Sequence, residues 1–127
     1  LLDYCAEHHM GILVYSPMQR GLLTGKFSHE RIAALAPDDH RRSHPDFQEP
    51  RFSATLDLVE ELKRVAERSG HTVAQLAISW VLRREEITAA IVGARRPGQI
   101  AETARASDWN LTEGEIEEIE QLLAEKL

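Results

Sequence analysis

Two short apolar runs stand out against a pattern of hydrophobic positions that is otherwise helical. They are residues 12–15 (Ile-Leu-Val-Tyr) and residues 89–92 (Ala-Ala-Ile-Val). Runs of this length, rich in β-branched or aromatic residues, are typical of strands buried in a parallel sheet. Pro17 follows the first run and ends it, because proline has no N–H group for the strand ladder. The pattern therefore predicts two short strands.

Amphipathic helices are predicted over most of the chain after residue 54. A stripe of apolar residues at helical spacing predicts a helix that begins at about Ala54 and ends at Gly70. Two capping boxes, at residues 72–75 (Thr-Val-Ala-Gln) and 112–115 (Thr-Glu-Gly-Glu), predict the starts of two further helices. In such a box the first and fourth side chains each satisfy a backbone donor of the other residue.

Two shorter helices are predicted, one before the first strand and one after the second. Residues 1–9 have the spacing of a helix end, and Gly11 is expected to terminate that helix in a left-handed conformation. Pro97 fits the first turn of another helix, whose inward face would be Ile100 and Ala104.

A long segment without a regular pattern, residues 28–52, lies between the first strand and the helix at residue 54. It contains three prolines and many charges, which indicates a functional or disordered loop. His40 and His44 have a spacing that could suit a metal ion, but Arg41 and Arg42 lie between them. Because cations oppose metal binding, we predict no metal site here.

The order of elements defines the fold class. Strands that alternate with helices predict an α/β fold with parallel strands and right-handed connections. Two strands of four residues cannot form a sheet that is stable alone, and their free edges invite association. The sequence therefore predicts an incomplete unit, a single partial domain over residues 1–127. Either it belongs to a larger barrel or sheet, or copies of it combine.

Composition limits the classes of partner and compartment. The 127 residues include 43% hydrophobic ones, which is ordinary for a globular domain, and the net charge of -6 argues against a nucleic-acid partner. No apolar run approaches the roughly 20 residues that span a bilayer, so we expect no membrane contact. The first residues lack the basic start and long apolar stretch of a signal peptide, so we expect none here, and the first residue is not methionine, which suggests a longer parent chain. The single cysteine, Cys5, indicates a reducing, cytoplasmic compartment, and we interpret it as a buried thiol.

Candidate chemistry lies where the two strands end. After the second strand, Gly93 allows close backbone approach, Arg95 and Arg96 offer guanidinium donors, and the helix near Pro97 offers free N–H groups. Gln99 in the first turn adds a further donor. These are the ingredients of an anion site, although two arginines before a helix are often merely solvated.

The end of the first strand carries an aromatic ring. Tyr15 is followed by Ser16 and by a glycine-containing loop with Arg20 and Lys26. The ring could stack on a planar heterocycle or could serve packing alone. A dinucleotide needs both a stacking surface and a phosphate clamp, so the two strand ends together favour a dinucleotide ligand.

Four segments resemble the aldo-keto reductase family, in the same order along the chain. Tyr15–Lys26 resembles the segment after barrel strand seven, and Ala74–Trp80 resembles the helix that follows it. Ile91–Glu102 resembles the NADP-binding segment after strand eight, and Trp109–Glu113 resembles the closing stretch. The resemblance implies that the chain is the C-terminal part of a (β/α)8 TIM barrel. Residues 28–52 then resemble the substrate-side loop of the larger family members.

The resemblance also implies a role for each residue of a cofactor site. Tyr15 would stack on the nicotinamide ring of NADP, and Arg95 or Arg96 would bind the adenosine 2′-phosphate. The family usually has Asn where this chain has Thr103, which puts the adenine contact in doubt. The remaining cofactor-binding residues would be Ser16, Met18, Gln19, Arg20 and Gly21 at the pyrophosphate, Gly93 and Ala94 near the 2′-phosphate, and Gln99 and Glu102 at adenine.

The family's reaction is hydride transfer from NADPH to an aldehyde or ketone. It uses a tyrosine as proton donor, assisted by lysine, aspartate and often histidine on earlier strands. Tyr4 and Tyr15 do not lie in that motif, so we assign no catalytic residue and expect the chain alone to be inactive. Two alternatives stay open: a non-catalytic nucleotide-binding or regulatory module, and a fragment that associates by strand exchange. The expected partners are a small carbonyl substrate and either another copy or the missing N-terminal part.

Overall fold

The computed structural model describes residues 1–126. Six α-helices and two strands occur within that range, together with four short 3-10 segments. The helices and strands are α1 (Leu2–Glu7), β1 (Ile12–Tyr15), α2 (His29–Ala33), α3 (Arg51–Arg68), α4 (Val73–Leu82), β2 (Ile87–Ile91), α5 (Gln99–Ala104) and α6 (Glu113–Lys126). The 3-10 segments are Gln19–Thr24, His40–Arg42, Pro45–Phe47 and Arg105–Asp108.

The two predicted strands form one parallel sheet. Leu13 pairs with Ala89, and Tyr15 pairs with Ile91 at the carboxyl ends. β2 runs from Ile87 to Ile91, so it begins and ends earlier than predicted. Ile87 pairs with Ile12, and Thr88 falls at an irregularity of the register, where its hydroxyl accepts the N–H of Ile12 at 3.1 Å. The α/β class and the parallel pairing are confirmed.

One face of this sheet lies open. Leu13, Tyr15 and Ile91 on that face are 63%, 79% and 56% exposed. Large apolar side chains that share an exposed face mark a surface meant for another element. An open apolar face of this kind is what the prediction of an incomplete unit leads one to expect.

The main core lies among α3, α4 and α6, on the opposite side of the sheet. Both capping boxes are confirmed: Thr72 accepts the N–H of Gln75 at 3.3 Å, and Thr112 accepts that of Glu115 at 3.2 Å. Gly70, at φ 73°, ends α3 as predicted. The core residues are Leu58, Val59, Leu62, Val65, Ala66, Val73, Leu76, Trp109 and Ile119.

The prediction that Gly11 ends the first helix in a left-handed conformation was wrong. His9, at φ 53°, adopts the left-handed conformation after α1, and Gly11 does not. A Cβ atom on Gly11 would lie 2.9 Å from the Thr88 hydroxyl that binds Ile12. Glycine is therefore needed here for the close approach of the two strands rather than for a turn.

The prediction for the helix near Pro97 also needs correction. α5 begins at Gln99, and Pro97 lies in the preceding turn. Ile100 and Ala104 are exposed, and Thr103 is the buried residue of this helix. The sequence placed the apolar side chains inward, but α5 turns a small polar residue toward α4.

Residues 28–52 are more ordered than predicted. The segment contains α2 and two of the 3-10 segments, and α3 begins at Arg51 rather than at Ala54. Phe47 and Phe52 are buried against Leu22, forming a second small core that anchors the segment to the 3-10 segment Gln19–Thr24 after β1. Aromatic packing replaces the regular apolar pattern that the sequence lacked.

An ion pair holds the middle of this segment. The Arg41 side chain donates to Asp39 at 2.8 Å, and the guanidinium lies 5.4 Å from the centroid of the Phe27 ring. Hydrogen bonds from the side chain and then the backbone N–H of Arg41 hold the pKa of Asp39 well below its usual range. Asp39 therefore stays ionised, and the pair keeps its charge, at acidic pH values where an ordinary aspartate is protonated.

Candidate functional site

The carboxyl ends of the two strands lie side by side. Because Tyr15 and Ile91 pair as the last residues of parallel strands, the segments that follow them leave the sheet at the same edge. Ligands of parallel α/β proteins bind at this edge. The two segments that the sequence singled out are thus brought together, and Gly93–Arg96 lies outside any helix.

The segment after β1 has an unusual backbone. Ser16, Gln19 and Arg20 have φ values of 54°, 45° and 55°, and Gly21 follows at 93°. Non-glycine residues in this region are strained, and such strain concentrates at binding and catalytic sites. The hydrogen bonds from the N–H of Gln19 to Ser16 at 2.9 Å and from the N–H of Gly21 to Met18 at 2.9 Å hold the turn.

The side chains of this turn point in different directions. Tyr15 and Arg20 are exposed, whereas Met18 is half-buried. The amide of Gln19 donates to Asp46 at 3.3 Å, and Arg51 lies 3.2 Å from the other oxygen of that carboxylate. Asp46 thereby joins the turn to the long segment before α3. Sequence reasoning missed this contact, because nothing local marks a pair 27 residues apart.

The segment after β2 presents two free arginines. Arg95 and Arg96 are exposed, and neither guanidinium takes part in an ion pair within residues 1–126. No other atom would lie within 4 Å of a Cβ placed on Gly93, so the backbone there is open to a ligand. Ala94 is also exposed. Two guanidinium groups beside an open backbone can bind a phosphate.

The helix after this segment contributes less than the sequence suggested. α5 has only six residues, so its dipole is small. The N–H of Gln99 already donates to Arg96 at 3.3 Å, and the N–H of Glu102 donates to Gly98 at 3.0 Å. Binding of an anion here would therefore depend on the arginine side chains and the loop backbone.

Gln99 has a structural role that was not predicted. Its side-chain oxygen accepts the N–H of Arg95 at 2.9 Å, which closes the loop between the two residues. Thr103, one turn after Gln99 on α5, is 5% exposed, and its hydroxyl donates to the backbone carbonyl of Gln99 at 3.1 Å. Thr103 therefore has no free donor for an adenine ring.

The second tyrosine and the single cysteine of the chain lie on α1, away from the carboxyl ends of the strands. Tyr4 lies on α1, which precedes the amino end of β1, and its ring packs 4.2 Å from His8. Cys5 is buried, in agreement with its interpretation as a packed thiol. The described part of the chain holds no group of three side chains that could bind a metal ion. Nor does any helix there have the length and apolarity to cross a membrane.

Parallel strands with a strained turn and a pair of exposed arginines at one edge define the chain as part of an α/β protein with a candidate anion site at the carboxyl ends of its strands. Comparison with known proteins identifies the family. Residues 1–124 match the model of the Aldo/keto reductase family, and the chain belongs to that family.

Individual relatives support this assignment and show how much of a family member the chain covers. The chain is 35% identical over 124 residues to "Aldo-keto reductase YhdN" of Bacillus subtilis, covering 97% of this chain and 37% of the relative. It is 28% identical to the "NADH-specific methylglyoxal reductase" of Escherichia coli, covering 91% and 34%. The glycerol dehydrogenase structure from Gluconobacter oxydans matches at a TM-score of 0.90 and 34% identity, covering 100% and 38%. The chain thus spans a little over a third of the length of these proteins.

Proposed function

We propose that this chain is the C-terminal part of an aldo-keto reductase barrel and supplies strands seven and eight with the NADP-binding residues. The remaining strands would close the sheet, and we call that assembly the complete barrel. Its proposed activity is reduction of an aldehyde or ketone by hydride transfer from NADPH. The observation that carries this proposal is the pair Arg95 and Arg96, which are exposed, form no ion pair among residues 1–126, and follow β2 at the same edge of the sheet as the strained turn.

The two arginines favour NADP over NAD. NADP differs from NAD by a 2′-phosphate, and a guanidinium group matches the geometry of phosphate oxygens. A relative in this family is named as NADH-specific, so family membership alone does not decide the cofactor. In this chain, the preference would come from Arg95 or Arg96.

The other strand end would hold the rest of the cofactor. The exposed ring of Tyr15 would stack on the nicotinamide. The turn from Ser16 through Met18, Gln19 and Arg20 to Gly21 would line the pyrophosphate with backbone and side-chain donors. Gln99 and Glu102 would lie near adenine, with Gln99 also keeping the arginine loop closed.

This chain and the remaining strands would have different roles in the reaction. When bound, NADPH supplies the hydride, and this chain holds and orients its two ends. The proton for the substrate oxygen would come from a tyrosine on the remaining strands. The open face of the sheet, around Leu13 and Ile91, would pack against those strands. Where those strands are absent, it would pack against another copy of the chain. Residues 28–52 would border the carbonyl substrate.

Tyr15 offers a test of the proposed cofactor site. Tyr15→Ala in the complete barrel is expected to weaken binding of NADPH and NADH equally, by about 2- to 12-fold, the equivalent of roughly 0.5–1.5 kcal/mol of stacking. Tyr15→Phe should bind both cofactors like the wild type, because the ring is kept. Quenching of protein fluorescence on titration with each cofactor measures this.

Tyr4→Ala is the matched control, because Tyr4 lies on α1, away from the carboxyl ends of the strands. It should leave both affinities unchanged. Wild-type affinity in Tyr15→Ala would show that the ring serves packing only, and the nicotinamide contact would have to be abandoned.

A further inference from the structure

We propose that Gln75 is a positioning residue for the loop that carries Arg95 and Arg96, here called the arginine loop. It acts through the N–H donor of its side-chain amide, whereas its capping role uses the amide oxygen. This inference rests on the proposed function of Arg95 and Arg96. Gln75 lies on α4, far from the strand ends in sequence, and its position in a capping box conceals a second set of contacts.

Both ends of the Gln75 side chain are used. The residue is 3% exposed. Its oxygen accepts the N–H of Thr72 at 3.0 Å and lies 3.2 Å from the His71 ring nitrogen Nδ1. Its Nε2 donates to the backbone carbonyl of Glu102 at 2.7 Å. The first contacts stabilise α4, but the last one joins α4 to α5.

A capping box alone does not require glutamine. Glutamate at this position accepts the same backbone N–H and is equally suitable for the box. The second box of this chain has glutamate, Glu115, at the corresponding position, where its carboxylate accepts the N–H of Thr112 at 2.8 Å. What glutamine adds at position 75 is a donor, and that donor meets the carbonyl of Glu102 in a partly buried place.

The contact reaches the arginine loop through α5. Glu102 lies one helical turn after Gly98, to which its own N–H donates at 3.0 Å. Gln99, in the same turn, binds the N–H of Arg95 at 2.9 Å. The bond to the Glu102 carbonyl therefore holds α5, the helix whose Gln99 closes the loop. In this way it fixes the backbone position of Arg95 and Arg96.

A neighbouring residue provides a matched control. Ser79, one turn along α4, is also 3% exposed and donates to the carbonyl of Ala106 at 3.0 Å. Ala106 lies beyond α5, in the Arg105–Asp108 segment. Ser79→Ala thus removes a buried bond of the same kind that does not hold the start of α5.

The test uses the complete barrel, expressed from the full coding sequence around these residues. Gln75→Glu keeps the cap and loses the donor, so the Kd for NADPH should rise about fivefold more than the Kd for NADH, in the range expected for one lost hydrogen bond. The Kd for NADH should change only through the adenine contacts of α5, which both cofactors share. Ser79→Ala should lower the melting temperature by a few degrees and leave the ratio of the two Kd values as in the wild type. Fluorescence titration and thermal unfolding give the two readouts.

Each outcome decides the proposal. An unchanged ratio in Gln75→Glu, whatever its melting temperature, would overturn the positioning role. If that variant does not fold, Gln75→Met removes both contacts, and Thr72→Val removes the cap alone. A lower preference for NADPH in Gln75→Met but not in Thr72→Val supports the proposal, and an equal change in both contradicts it. If the wild type itself shows no preference for NADPH, the proposed function fails first.

Discussion

Arg95→Ala combined with Arg96→Ala is expected to reduce the affinity of the complete barrel for NADPH far more than its affinity for NADH. Each charged hydrogen bond lost to the 2′-phosphate should cost roughly 1–3 kcal/mol, which is about 5- to 150-fold in Kd. NADH lacks that phosphate, so its binding should change little. Both guanidinium groups are exposed, and the global stability should therefore stay close to that of the wild type.

Two variants separate geometry from charge. Arg95→Lys with Arg96→Lys keeps the charge but loses the planar donor geometry, so its NADPH affinity should be intermediate. Arg105→Ala removes an exposed arginine from the segment after α5 and should change neither affinity. Equal losses for NADPH and NADH in the double alanine variant would show that the arginines do not distinguish the two cofactors.

The 127-residue chain alone is expected to show no turnover of carbonyl substrates. Reduction needs a proton donor beside the carbonyl oxygen, and the tyrosines of this chain have other predicted or observed places. Oxidation of NADPH followed at its absorbance band, with a reactive aromatic aldehyde, should stay at the background rate. The complete barrel under the same conditions should turn over at a rate ordinary for an enzyme, about 1 per second or faster.

A complementation experiment serves as the control for this second prediction. Mixing the chain with a polypeptide that carries the remaining strands should restore part of the activity, because the open sheet face offers the docking surface. Activity of the chain by itself that persists through purification, and that rises with its concentration, would mean that a proton donor lies within these residues.

The sequence predicted best those features that depend on neighbouring residues. Both capping boxes form with the predicted partners, since Thr72 with Gln75 and Thr112 with Glu115 are three residues apart. Gly70 ends α3 for the same local reason. The two strands were predicted because both runs are short, contain β-branched residues and are bounded by glycine or proline, which favours a buried strand over a buried helix.

Features set by tertiary contacts were not predictable. Gly11 is required by the Thr88 hydroxyl, which is 77 positions away in sequence. The order of residues 28–52 depends on Phe47 and Phe52 meeting Leu22 in a second core. The orientation of α5, with Thr103 inward, follows from its packing on α4, which its own apolar residues did not indicate.

The candidate site shows the same division. That both strand ends meet at one edge followed from the rule for parallel strands, and the pairing of Tyr15 with Ile91 confirms it. The second contacts of Gln19, Gln75 and Gln99 could not be predicted, since amide side chains bind whichever partner the fold provides. The residues that hold the site were therefore less visible than those that would touch the ligand.

The central claim is that Arg95 or Arg96 binds the 2′-phosphate of NADP at the carboxyl ends of β1 and β2. A crystal structure of the complete barrel with NADP+ measures this directly. We expect a guanidinium group about 3 Å from the phosphate oxygens, with the nicotinamide ring against Tyr15. A 2′-phosphate held by other residues, with both guanidinium groups beyond hydrogen-bonding distance, would contradict the account.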